Sequence, residues 1–234
     1  MSCPVPPSGS RPALRHFRTI VHPERRRQGL GSALLARVEG LPAEAEGTIL
    51  QTLVPGTWTE AARFYANRGF REVHRGLDLE RVGPVPEEIA APDGFRIRPE
   101  VPGEDDADLR RLCDEGFRDD FFHEPADERV FPALREIPGA EILLAETDAG
   151  DAAGYTLTHD AGEGRGHVLA LVVSEPLRRR GLARALLRTG LRGLHARGRT
   201  TIGLFVDATN DPANALYREE GFAVRDTSHT LWRR

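Results

Sequence analysis

One set of residues recurs at a single offset along this chain. Gly29 and Gly181 are 152 positions apart, and so are Tyr65 and Tyr217 and the Gly-Phe pairs at 69–70 and 221–222. No insertion separates these features in either repeat. Agreement of several features at one offset points to two related structural units. Each unit must then run through the same order of strand, turn, helix, strand and helix.

The C-terminal repeat is the easier to read. Leu169 to Phe222 holds an apolar strand, then consecutive arginines ending at Gly181, then an amphipathic helix. A second apolar strand follows, and a helix opened by Asn210-Asp211-Pro212 runs through Tyr217 to Gly221–Phe222. In the N-terminal repeat, Leu14 to Val21 reads as a strand. Arg26-Arg27-Gln28-Gly29-Leu30-Gly31 opens a helix on which Leu30, Leu34, Leu35 and Val38 recur at helical spacing. Gly40 and Pro42 end that helix. Thr48 to Val54 reads as a strand, Glu60 to Arg68 as a helix stopped by Gly69, and Phe70 to Val73 and Leu77 to Val82 as paired strands.

Between the repeats, the segment 83–94 carries Pro84, Pro86 and Pro92 and no long apolar run, which marks a linker. A new unit opens with a strand at Phe95 to Arg98 and a helix from Glu104 to Phe117. The loop Asp119 to Pro125, a helix from Ala126 to Arg135, and strands at Glu141–Glu146, Ala152–Thr158 and His167–Val173 follow. Phe222 to Asp226 and His229 to Trp232 read as closing strands. The expected organisation is a loose tail over 1–13, a partial unit over 14–82, the linker 83–94 and a complete unit over 95–234. On this offset the N-terminal unit has only its back half. Its leading strand would be an open sheet edge, at which a second molecule could pair to make a homodimer.

Composition narrows the function class. A net charge of −4 argues against a nucleic-acid partner held through phosphates. All 32 basic residues are arginine, so position and not abundance must identify the functional ones. Cys3 and Cys113 offer neither metal-ligand spacing nor a disulfide framework, which fits a reduced, cytoplasmic protein. No apolar run approaches the roughly 20 residues of a membrane span, so no membrane partner is expected.

The chemistry concentrates at the turn before the long helix. In Arg178-Arg179-Arg180-Gly181-Leu182-Ala183 a strand ends and a helix begins. The first N–H groups of a helix have no internal partner, and its dipole adds positive character there. Such a terminus suits a phosphate, with glycine and alanine leaving the backbone uncovered and arginines at the rim. The pattern is neither a Walker loop nor GxGxxG. A splayed or bulged end to the preceding strand would free backbone groups at Leu171 and Val173 to pair with an amide-bearing chain. Asn210 has the character of a helix N-cap, and Tyr217 could donate a proton from that helix or simply cover the core.

Strand, R-x-x-G-x-A into a helix, strand, then N-x-P-A-x-x-L-Y-x-x-x-G-F resembles the GNAT superfamily of acyl-CoA-dependent N-acetyltransferases. The tandem layout, with LFVDATNDPANALYREEGF and the preceding RGLARALL, is similar to the mycothiol-synthase branch. The resemblance implies an α/β fold of the α+β kind: a mixed, mostly antiparallel central sheet flanked by helices, in one complete domain plus a half-domain repeat. It implies acetyl-CoA as donor, with pyrophosphate on the N–H groups of Arg179, Arg180, Gly181, Leu182 and Ala183, and Arg178 opening the motif. Leu171 and Val173 would hold the pantetheine arm and acetyl carbonyl, Asn210 would contact the arm, and Tyr217 would protonate the CoA sulfur. In the N-terminal repeat Val21, Arg26, Gln28, Gly29 and Gly31 fall at the equivalent positions, but Trp58 stands where Asn210 would be.

For the general base the sequence offers His167 on the strand, His123 and Glu124 in the loop, and Asp207 at a strand end. The expected activity is transfer of acetyl from acetyl-CoA to a primary amine of a small molecule or peptide, with catalysis in the C-terminal unit. A small amine-bearing thiol precursor and an antibiotic-like amine both fall within that range. Asp119, Asp120 and Glu124 could wall a cationic acceptor. The alternative is a non-catalytic acyl-CoA-binding module with a regulatory or structural role.

Overall fold

The computed structural model describes residues 13–42, 47–122 and 124–234. Cys3, His123 and nearly all of the expected tail lie outside them. The chain forms two compact units: the described residues up to Gly76 together with Asp226–Arg234, and Leu77–Arg225. This division follows compactness, whereas the division at 14–82 and 95–234 follows the repeat.

In the larger unit, β4 (Phe95–Pro99), β5 (Glu141–Thr147), β6 (Ala152–Asp160) and β7 (Arg165–Val173) pair in order as antiparallel neighbours. β8 (Thr201–Asp207) then pairs with β7 in parallel. Helices α3 (Asp106–Gly116) and α4 (Val130–Arg135) bury Leu109, Leu112 and Phe131 against Leu144, Tyr155, Leu157 and Val172. On the other side of the sheet, α5 (Leu182–Ala196) and α6 (Asp211–Glu219) bury Leu187, Leu191, Leu194 and Tyr217 against Ile202, Leu204 and Val206. This is the mixed, mostly antiparallel sheet flanked by helices that the sequence implied.

The smaller unit pairs β1 (Leu14–His16) in parallel with β2 (Ile49–Pro55). β2 runs antiparallel to the end of β9 (Ala223–Arg233). Helices α1 (Leu30–Glu39) and α2 (Thr59–Ala66) contribute Leu35 and Tyr65 to a core with Val54, Phe70 and Leu231. The repeat explains one contrast. Leu182 and Leu186 are 1% and 0% exposed in a cluster with Phe95, Ile97, Leu143 and Ala145 from β4 and β5. Their counterparts Leu30 and Leu34 are 44% and 42% exposed.

Three expectations need correction. Phe70–Val73 and Leu77–Val82 are not paired strands but parts of one strand, β3 (Arg71–Val82), because Gly76 stays out of the left-handed region that a tight turn would need. The two closing strands are likewise one, β9. There the Gly56 N–H donates to the Thr227 carbonyl at 2.6 Å and keeps the middle of the strand extended. The helix expected from Ala126 begins only at Val130. The Asp127 carboxylate accepts the Arg129 N–H at 2.8 Å, a local bond that competes with helix formation.

Candidate functional site

β7 and β8 form a fork. Their pairing runs from Arg165↔Thr201 to Val168↔Leu204 and stops, although the strands continue to Val173 and Asp207. On its other edge β7 stays laddered to β6, with a register shift opposite Leu157/Thr158 that leaves Leu169 as the extra residue. Apart from the Val173 carbonyl, which Arg178 takes, the backbone of 169–173 that would have met β8 is left to another partner. β1 and β2 part in the same way, after His16↔Gln51.

The arm of the fork leads into the arginine turn. The two repeats build this turn with nearly the same backbone. Ser174 has φ −52° and ψ 135°, and His22 has −52° and 136°. Arg178 has −65° and 162°, and Arg26 has −68° and 162°. Arg179 and Arg27 take positive φ of 64° and 62°. Gly181 and Gly29 take 83° and 82°, and each caps its helix without a side-chain bond. Among the described residues, no acceptor meets the N–H groups of 179–183. Left-handed residues followed by a helix start give a concave run of N–H groups, which fits an anion.

The side chains divide the labour. Arg178 donates through Nε to the Val173 carbonyl at 3.1 Å, and Arg26 to the Val21 carbonyl at 3.3 Å, so each closes its own turn. Arg179 and Arg180 are exposed at the rim. Leu182 is in the core and Ala183 packs against it, leaving only their backbone to a ligand. Gln28 donates to the Glu24 carbonyl at 3.4 Å, and a side chain at Gly31 would meet Phe64 at 3.5 Å. Pro92 reaches the turn, with its Cγ 3.7 Å from where a Gly181 Cβ would stand. The segment 83–94 is tied along α5, with His195 Nε2 3.2 Å from the Gly83 carbonyl and Arg192 donating to the Pro86 carbonyl at 3.2 Å.

His167 stands at the vertex of the fork, paired across to His159 on one side and Gly203 on the other. The two imidazoles are 5.4 Å apart, and a Cβ on Gly203 would lie 3.3 Å from His167 Nδ1. Burial pushes the His167 pKa down, and the neighbouring His159 and Arg165 add to this against a smaller opposing pull from Asp78. Its ring is held neutral and able to accept a proton. Asp207 instead accepts the Thr209 N–H and hydroxyl in a turn at the end of β8. Glu124 lies exposed in its loop.

Tyr217 lies in the core cluster with Leu204 and Val206, and Leu171 packs against that cluster. Burial raises its pKa to about 12, which keeps the phenol protonated. Asn210 caps α6, its side-chain oxygen accepting the Ala213 N–H at 3.2 Å. The structure thus gathers Leu171, Val173 and the 178–183 turn along one fork, with His167 at its vertex and Tyr217 in the core beside it.

Nothing in the sequence singled out Glu115. Its Oε1 accepts the Ser174 hydroxyl at 2.9 Å and the Glu175 N–H at 2.6 Å, joining α3 to the base of the turn. A cavity of about 540 Å³ lined by Arg111, Asp114, Glu115, Arg118, Glu175 and Pro176 opens beside this junction. A glutamate near the end of a charged helix carries no local mark of such a role.

Comparison with known proteins points to one family. Residues 107–222 match the acetyltransferase (GNAT) family, and residues 5–72 match an acetyltransferase (GNAT) domain. The mycothiol acetyltransferase of Thermomonospora curvata is 33% identical over 212 residues, covering 87% of this chain and 68% of that protein. The one from Streptomyces avermitilis is 34% identical over 230 residues, covering 89% and 68%. Among solved structures, a GCN5-related N-acetyltransferase from Sphaerobacter thermophilus superposes with a TM-score of 0.73 at 29% identity, over 91% of this chain and 70% of the other. A tandem GNAT protein of the clavulanic acid biosynthesis pathway superposes with a TM-score of 0.78 at 22% identity, over 95% and 75%.

Proposed function

Because the chain belongs to the acetyltransferase (GNAT) family, we propose that it transfers acetyl from acetyl-CoA to the primary amine of a small molecule, with the chemistry in the C-terminal repeat. It is an N-acetyltransferase and its donor is acetyl-CoA. The acceptor and the seat of catalysis are our reading. The observation that carries it is the fork between β7 and β8, which runs from His167 at its vertex to a turn whose N–H groups meet no acceptor among the described residues.

In this reading the N–H groups of 179–183 take the pyrophosphate, with Arg179 and Arg180 at the rim. The backbone of Leu171 and the N–H of Val173 pair with the amide-bearing arm and polarise the acyl carbonyl. The donor supplies an activated thioester. His167 accepts the proton that the amine sheds as its nitrogen bonds to the acyl carbon, and Tyr217 delivers a proton to the departing sulfur. Asn210, engaged as a helix cap, orients α6 and its tyrosine.

The N-terminal turn has the same backbone, and its N–H groups at 27–31 meet no acceptor among the described residues, so Val21, Arg26, Gln28, Gly29 and Gly31 form a second donor cradle in our reading. That repeat has Trp58 where Asn210 would stand, and a hydroxyl already holds its tyrosine. We assign it binding without turnover. The relatives are named for mycothiol, so a small amine-bearing thiol is the first acceptor class to try.

The test is release of free thiol from acetyl-CoA across a panel of primary amines. Acceleration by one amine class, with a matching acetylated product, supports the reading. Saturable CoA binding without amine-dependent thiol release overturns it.

A further inference from the structure

We propose that Glu115 is a positioning residue for the donor: it hooks α3 to the junction of β7 and the arginine turn and so holds the arm of the fork in place. This rests on the reading that the 178–183 turn takes the pyrophosphate.

The argument begins with what the fork costs. Beyond Val168 the arm loses its β8 neighbour and keeps only the β6 ladder, which ends at Gly154↔Val173. The next residues, Ser174 and Glu175, start the 3-10 turn that carries Arg178. The Ser174 N–H reaches the Ala153 carbonyl at 2.9 Å, Val173 and Leu177 pack into the core, and the Glu115 carboxylate adds a polar restraint from α3. The helix comes this close because residue 116 is glycine. A Cβ there would stand 2.5 Å from Val172 Cγ1.

The hook is ionised. The Glu175 N–H is the largest influence and holds the carboxyl below its ordinary range; the Ser174 hydroxyl, Arg111 and Arg178 act in the same direction against the cost of burial. Hydrogen bonds to a charged acceptor are about twice as strong as neutral ones. Arg111 anchors the other side, 3.7 Å from Glu115 Oε2 and donating to the Ala152 carbonyl at 3.1 Å.

The N-terminal repeat separates shape from restraint. His22 and Pro23 occupy the positions of Ser174 and Glu175, and proline has no N–H to donate. Its turn reaches the same dihedrals with no such hook among the described residues. The conformation of the turn is therefore local, and Glu115 supplies attachment. Losing it should weaken donor binding without unfolding the chain.

Coenzyme A binding to the full chain, measured by calorimetry, tests this. Glu115→Ala should raise the Kd about tenfold, the factor that accompanies about 1.4 kcal/mol. Glu115→Gln, which keeps an oxygen for both donors, should return it to within about threefold of the parent. Ser174→Ala removes one of the two bonds at little risk to folding and should give an intermediate Kd. An unchanged Kd in Glu115→Ala and Ser174→Ala, or a loss that Gln does not restore, overturns the proposal. Gly181→Glu serves as the control. If it leaves the affinity intact, the donor reading itself fails; if it abolishes binding while the Glu115 and Ser174 variants are silent, only the hook is wrong.

Discussion

The hydroxyls of Thr19 and Tyr65 stand 2.6 Å apart. In the C-terminal repeat the same two positions are Leu171 and Tyr217, and leucine offers the phenol nothing. Tyr65 also packs among Phe17, Phe64 and Phe70, with ring centroids 5.2–6.0 Å away. One tyrosine of the pair is thus engaged through its hydroxyl by the segment that follows β1, and its counterpart has a leucine at that place.

The two tyrosines should answer differently to loss of the hydroxyl. Tyr217→Phe should lower kcat by about 10²-fold with little change in the KM for acetyl-CoA, as expected for a lost proton donor. Tyr65→Phe should leave kcat unchanged and lower stability by about 1 kcal/mol, one hydrogen bond's worth. Steady-state kinetics and thermal melts separate these outcomes. Equal kinetic effects would remove the distinction between the repeats.

Calorimetric titration with CoA should count two equivalents. Gly181→Glu should abolish the tighter site, since a carboxylate would enter the anion cradle and a side chain would be forced to φ 83°. Gly29→Glu should remove the other and leave turnover intact. A single equivalent in the parent protein would show that the N-terminal turn keeps the shape of a cradle without its use.

Protonation of His167 should stop turnover at low pH. Because burial lowers its pKa, the neutral, active form persists below the ordinary histidine range near 6.5, and activity should fall only as pH drops through the lowered value. His167→Gln should erase that acidic limb in kcat/KM and slow the reaction about 10²-fold. His159→Asn removes a neighbour that helps to lower the His167 pKa and should move the limb to higher pH.

Packing behind the fork should be intolerant. A Cβ on Gly154 would stand 2.4 Å from the Val172 carbonyl oxygen and 3.1 Å from Val173 Cα. Both are backbone atoms of the fork's arm and cannot turn aside. Gly154→Ala should cost about 1–3 kcal/mol in denaturant unfolding. It should also raise the Kd for CoA, since the arm must shift to admit the methyl.

The sequence by itself determined what depends on neighbours along the chain. The 152-residue offset identified two repeats, and the turns at Gly29 and Gly181 were readable because glycine before a helical period fixes a local conformation. Helices α1, α2, α3 and α5 were legible from apolar spacing and their stops. Only tertiary structure decided where strands pair and part. That β3 and β9 run unbroken, and that β7 leaves β8 after Val168, depends on ladders between residues distant in sequence. The same holds for side chains. His167 acquires its lowered pKa from burial and from His159 on the next strand, Tyr65 is engaged by Thr19 across 46 residues, and Glu115 meets Ser174 across 59. Spacing encodes which face a residue takes; what it meets there is set by how the sheets and helices pack.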